Sequence, residues 1–377
     1  MAGLYIHIPL CKSRCAYCDF YKSTAAERAE EVVGALKREM AARREFLPEG
    51  RLDTIYLGGG TPSLLSPEQL RGLLGRAAEL WDCSELREVT MEANPEDLTD
   101  EYIAGLAGTG FDRLSIGVQS FDDGLLRMMN RRHDAARAKD AVKAAQRAGF
   151  DNITIDLIFG IPEMTAAQWE RSLDEAIDLG VQHISAYHLT IEPGTAFGQR
   201  GLRPIDEAES ERQYETLRRR LGDAGFEHYE ISNFALPGRR AVHNSAYWSG
   251  EPYLGIGPSA HSFDGARRRE WVVADIGEYL AGVGGGDIYD GETLSDRELF
   301  NERVMTALRT AAGLDLGAME ERFGRERVLA LAGRAERFLG DGLLVRGGGS
   351  ATRGGDSFRV PAERFLMSDF VIGELFE

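Results

Sequence analysis

Apolar side chains recur in short continuous or alternating runs at residues 4–8, 52–57, 88–92, 113–119, 153–159 and 183–189, a pattern that predicts six β-strands. Between these runs, residues 25–46, 67–80, 99–108, 134–148 and 165–179 place their apolar positions three and four apart, as one buried helix face requires. Regular alternation of strand and helix predicts parallel strands, because a parallel pair needs a crossover long enough to hold a helix. Six units are too few to close an eight-stranded barrel, so the expected fold class is α/β, an incomplete (β/α)6 barrel. Chemistry then belongs at the C-terminal ends of the strands, which read His7, 58–62, Glu92 with Asn94, Gln119 with Ser120, Asp156, and Tyr187 with His188.

The regular pattern loosens after Pro193. A charged helix is predicted at 206–222 and a strand at 228–231, followed by a loop-rich stretch at 233–263 that contains His243-Asn244-Ser245-Ala246-Tyr247-Trp248. Residues 255–261 read as a tight backbone approach, and 280–292, rich in Gly and Asp, as a linker. Beyond it, helical patterns at 296–310 and on to 339, then a hairpin of 343–345 with 358–360 around a Gly-rich tip, predict a helix-rich, winged-helix-like module. The expected division is a partial barrel over 1–200, a barrel extension over 201–285 and a C-terminal module over 286–377.

Composition narrows the classes of function. A formal charge of -17 repels a phosphate backbone, and the basic groups at 131–133, 218–220, 239–240 and 267–269 are too short to form a nucleic-acid arm. No apolar run approaches the ~18 residues of a membrane span. Met1 leads into the first strand without the basic and apolar segments of a leader, so a cytoplasmic protein is expected.

Cysteine placement changes the picture most. Cys11, Cys15 and Cys18, three of the four cysteines, lie in one CxxxCxxC run directly after the first strand, while Cys83 stands alone and reads as a structural thiol. An odd cluster this tight cannot pair fully into disulfides. Two metal readings stay open: a Cys3His zinc site with His7 as the fourth ligand, or a 4Fe-4S cluster in which three thiolates leave one iron without a protein ligand.

CxxxCxxC after one strand and Gly58-Gly59-Gly60-Thr61-Pro62 after the next resemble the radical S-adenosylmethionine (SAM) superfamily. Tyr5-x-His7-Ile8-Pro9 and Gly117-Val118-Gln119-Ser120-Phe121 are similar to the branch that contains the oxygen-independent coproporphyrinogen III oxidases, and the likeness extends through the C-terminal, HemN-type module. The resemblance implies a 4Fe-4S cluster on Cys11, Cys15 and Cys18, with SAM on the open iron. It further implies that Gly59, Gly60 and Thr61 hold the SAM amino group, that Glu92, Gln119, Arg131 and Asp156 contact SAM, and that Tyr5 and Tyr17 flank cluster and adenine.

The same branch holds decarboxylases of coproporphyrinogen III and HemW-like haem chaperones. The decarboxylases carry a fourth cysteine where this chain has Phe20, and an N-terminal extension ahead of the position where this chain begins. His243-Asn244-Ser245-Ala246-Tyr247-Trp248 matches the HNxxYW pattern of the chaperones. The resemblance therefore implies haem as a further cofactor, with His243, Tyr247 and Trp248 as its expected contacts, haem-accepting proteins and an electron donor as partners, and no assigned catalytic residue.

Overall fold

The computed structural model describes residues 1–47, 49–285, 287–348 and 356–377. Six parallel strands, β1 (Gly3–Ile8), β2 (Thr54–Gly59), β3 (Glu88–Ala93), β4 (Arg113–Gln119), β5 (Ile153–Phe159) and β6 (His183–His188), lie side by side in chain order. Leu4, Ile6, Leu57, Met91, Ile116, Ile155 and Ile184 are all fully buried. Helices cover the outer face of these strands and side chains fill the inner one, hence the near-continuous apolar runs in the sequence. Three of the predicted helices begin where the chain supplies a reciprocal cap, Ser66 with Gln69, Thr165 with Gln168, and Ser295 with Glu298.

The sheet continues past this core on both sides and does not close. The short β7 (Glu227–His228) and β8 (Asn233–Ala235) add antiparallel strands beyond β6. On the other edge β9 (Tyr253–Ile256) pairs parallel with β1, and β10 (His261–Phe263), β11 (Arg268–Val272) and β12 (Tyr289–Thr293) follow antiparallel, giving twelve strands. After them β13 (Leu314–Asp315), β14 (Val345–Gly348) and β15 (Asp356–Arg359) form a small sheet beside helices Asp296–Leu308, Leu316–Phe323 and Arg325–Gly340. The Gly-rich tip of the β14–β15 hairpin lies outside the described residues. No helix among the described residues is long and apolar enough to cross a membrane.

Three expectations are corrected. Within the expected loop 233–263 the chain forms a helix, Val242–Ser249. Ala241 offers it no side-chain cap. Instead the Val242 and His243 N–H groups donate to the Glu88 carboxylate at 2.8 and 3.1 Å, a cap from a distant strand that no local pattern reveals. The expected linker 280–292 holds the end of helix Ile276–Gly282 and most of edge strand β12. The strand expected at 228–231 is only the two-residue β7.

Glu230 sits where the barrel meets the C-terminal module, 1 % exposed, accepting the Ser232 N–H at 3.1 Å and bonded to the Trp248 side chain. Burial pushes its carboxyl up to about 7, against those hydrogen bonds. Because the folded pKa exceeds the unfolded one, the favourable contribution is complete below about pH 4.5 and disappears as pH rises through about 7, on the order of 3 kcal/mol in all. Urea unfolding of Glu230→Gln beside the parent chain is expected to show a flatter dependence on pH between these limits. Parallel curves would place the titration elsewhere.

Candidate functional site

A cavity of about 480 Å3 opens at the C-terminal ends of the parallel strands and is lined by Cys11, Cys15 and Cys18 together with Tyr17, Gly59, Gly60, Thr61, Glu92, Gln119, Arg131 and Asp156. The cysteine loop is anchored by backbone hydrogen bonds from Cys11 to Ser23, from Ala16 to Met129 and from Phe197 to Ala16. Cys11 is 8 % exposed, its Sγ lies 3.3 Å from Thr61 Oγ1, and burial pushes its thiol pKa up. Cys15 Sγ accepts from Arg131 Nη1 at 3.4 Å.

Among the described residues no three His, Cys, Asp or Glu side chains converge on one ion. His7, the fourth ligand of the zinc reading, has Nδ1 on the Tyr5 hydroxyl at 3.1 Å and Nε2 on the Tyr21 carbonyl at 3.2 Å.

The glycine turn is forced by close packing within the protein. Gly59 has φ +102° and a Cβ there would lie 2.5 Å from the His7 ring; a Cβ on Gly60 would lie 2.7 Å from the carbonyl oxygens of Ile8 and Leu10. The turn is thereby pressed against β1 at the point where the cysteine loop departs.

Glu92 and Asp156 face the cavity from β3 and β5. Burial raises the Glu92 carboxyl to about 7, the Tyr56 hydrogen bond opposing and the Asp156 charge adding. Burial likewise raises Asp156 to about 6, against Ser185 and the charge of Arg113. Two carboxyls poised near neutrality can both accept from and donate to hydroxyl groups such as those of a ribose.

Arg131 Nη2 donates to Asn94 Oδ1 at 2.7 Å and to the Gly117 carbonyl at 2.6 Å. Burial opposes its charge, but Tyr17 and Cys15 beside it push the pKa up. Its Nε is buried without a protein partner, leaving a donor suited to an anionic group. Gln119 ends β4 with φ +68° at a shift in strand register, a strained conformation of the kind that gathers at ligand sites.

Several contributors escaped the sequence reading. Asp97 ties the Lys12 ammonium at 2.6 Å to the Ser63 hydroxyl at 2.9 Å and so holds the cysteine loop to the glycine turn. Ser115 lies 3.4 Å from Asp156. It could have been found as the residue two positions before Gly117 on the same strand face.

Four expected site residues lie away from the cavity. Tyr5 is one layer below it, against His7 and Tyr56. His243, 1 % exposed, lies at the opposite end of the strands, with Nδ1 on Thr54 Oγ1 and Nε2 on the Tyr247 hydroxyl, both at 2.8 Å. Burial lowers its imidazole to about 3, the Arg113 charge adding. Tyr247 packs edge-on to Tyr253 at 4.7 Å, and Trp248 accepts from Arg303 through its carbonyl at 3.0 Å. Both ring nitrogens of His243 are thus engaged by protein side chains, and the ring is buried with one face on Tyr56.

Comparison with known proteins identifies the family. The model of the radical SAM superfamily matches residues 5–176 and that of the HemN C-terminal domain residues 294–353. The heme chaperone HemW of Bacillus subtilis is 36% identical over 333 residues, 86% of this chain and 88% of that protein. Its namesake in Mycobacterium tuberculosis is 37% identical over 356 residues, 91% of this chain and 88% of that one. The coproporphyrinogen III oxidase HemN of Escherichia coli superposes with a TM-score of 0.84 over 100% of this chain and 90% of its own, at 22% identity, a likeness of fold. The chain belongs to the HemW family of the radical SAM superfamily.

Proposed function

We propose that this chain carries haem and hands it to acceptor proteins, with a 4Fe-4S cluster on Cys11, Cys15 and Cys18 and SAM in the cavity beside it. Superfamily membership implies the cluster and SAM. The haem reading rests on the relatives named as heme chaperones, which share 36% and 37% identity over most of both chains.

In this reading Arg131 takes the methionine carboxylate, Glu92 and Asp156 the ribose hydroxyls, and Gly59, Gly60 and Thr61 the amino group, while Gln119 and Tyr17 complete the walls. Haem sits at the open rim. Phe20 is 73% exposed and Tyr187 44%, two aromatic faces in solvent on the edge of the cavity, and His188 lines the same side. The cluster requires an electron donor and a reducing, cytoplasmic setting, in keeping with four free cysteines.

Anaerobic reconstitution followed by parallel haem titration and coproporphyrinogen III decarboxylation assays tests the reading. Stoichiometric haem with a shifted Soret band and no sustained turnover is expected. Phe20→Ser combined with Tyr187→Ala is expected to weaken haem roughly tenfold, since each aromatic contact contributes about 0.5–1.5 kcal/mol. Continuous release of CO2 from coproporphyrinogen III would move the assignment to the decarboxylase.

A further inference from the structure

The helix Val242–Ser249 meets the floor of the cavity through one column of rings. His243 stacks on Tyr56 with centroids 5.1 Å apart and planes at 26°, and Tyr56 lies against Tyr5 at 6.1 Å and 29°. The His243 ring cannot turn, because Thr54 and Tyr247 hold its two nitrogens. It is a fixed platform.

Two arms rise from the column and meet at the glycine turn. In the first, the Tyr56 hydroxyl donates to Glu92 Oε1 at 2.8 Å while Glu92 Oε2 accepts the Gly59 N–H at 3.1 Å. In the second, the Tyr5 hydroxyl meets His7 Nδ1 at 3.1 Å, and the His7 ring packs so closely on Gly59 that a Cβ would lie 2.5 Å away. Gly59 and Glu92 are both walls of the cavity. A buried carboxyl keeps one orientation only while its donors hold it; here one donor, the Tyr56 hydroxyl, belongs to a ring stacked on His243, and the other, the Gly59 N–H, is placed by the His7 ring that the Tyr5 hydroxyl meets.

We propose that the HNxxYW helix is a positioning element of the SAM site: His243, acting through Tyr56 and Tyr5, sets the placement of Glu92 and of the Gly59 turn. His243 touches no ligand itself. The motif then belongs to the cavity although it lies at the far end of the strands, and its separation in sequence from the cysteine loop reflects the route of the chain, which returns to plug the barrel floor. The inference rests on the assignment of the cavity to SAM.

The test uses the reconstituted full-length chain with SAM itself as probe, read by equilibrium dialysis and by the change SAM causes in the electron paramagnetic resonance spectrum of the reduced cluster. Tyr56→Phe keeps the ring stack and removes only the hydroxyl; His243→Ala removes the platform. Each is expected to raise the SAM dissociation constant roughly tenfold, the scale of one hydrogen bond to a charged group, with iron and sulfide content unchanged. Haem titration of both variants is expected to stay within about twofold of the parent, since no ligating contact is removed. Unchanged SAM affinity in Tyr56→Phe would overturn the proposal, and that variant decides alone if His243→Ala does not fold. Loss of haem with SAM binding intact in His243→Ala would return the motif to haem. Failure of the parent chain to bind SAM would remove the site assignment and the proposal with it.

Discussion

Replacing Cys11, Cys15 or Cys18 singly by alanine is expected to leave reconstituted protein without iron, sulfide or brown absorbance, whereas Cys83→Ala keeps all three. With one thiolate gone, two thiolates would leave two irons of the cluster open to solvent. His7, four residues before Cys11, is held by Tyr5 and Tyr21. Cys83 lies half-buried against the core, its thiol pKa raised by burial, and reaches neither the loop nor the cavity. Each variant should keep the far-UV spectrum of the parent, because the loop is also anchored through backbone hydrogen bonds at Cys11, Ala16 and Phe197. Iron and sulfide analysis is the measurement. A full cluster in Cys15→Ala would sink the ligand assignment.

Loss of the cluster is local in origin, and so was its detection. The three cysteines sit within eight residues, and the loop geometry follows from where β1 stops. Glu92 and Gln119 lie at the ends of β3 and β4 and Asp156 in the middle of β5, and a polar side chain among buried aliphatics stands out in the sequence for an equally local reason. Strands at 113–119 and 153–159 and the helix at 67–80 fall where the pattern places them because periodicity and the Ser66 cap act over a few residues.

Where the local pattern is silent, the deciding partner is remote or absent. The chemistry of His243 is set by Thr54, 189 positions away, and by Tyr56 two residues after it, so the motif alone could not tell a free imidazole from a locked one. The helix around it begins on the Glu88 carboxylate, 154 positions from Val242. Strand β12 was lost for the opposite reason. Tyr289 is its one partly covered side chain and the next four residues are exposed, so the strand has no buried face to write an alternation into the sequence. It is held by backbone pairing with β11, which is invisible to any hydrophobic count.

Arg113→Ala is expected to be the most destabilising single substitution outside the cysteine loop. Arg113 opens β4 at 1 % exposure, 3.8 Å from the Glu88 carboxylate and bonded to the Thr154 hydroxyl. Glu88, 2 % exposed, is also the acceptor that starts the Val242–Ser249 helix. Removing the guanidinium leaves a buried carboxylate with only neutral N–H donors, and breaking one partner of such a pair costs about 3–5 kcal/mol. The damage should spread to the helix Glu88 caps and to the His243 ring that it carries. Adding Glu88→Gln to Arg113→Ala removes the stranded charge and keeps one cap acceptor, so the double variant should recover part of the loss. Urea midpoints of the parent, both single variants and the double variant measure this coupling; strictly additive losses would show that Glu88 and Arg113 act independently and that the floor of the barrel is held by packing alone.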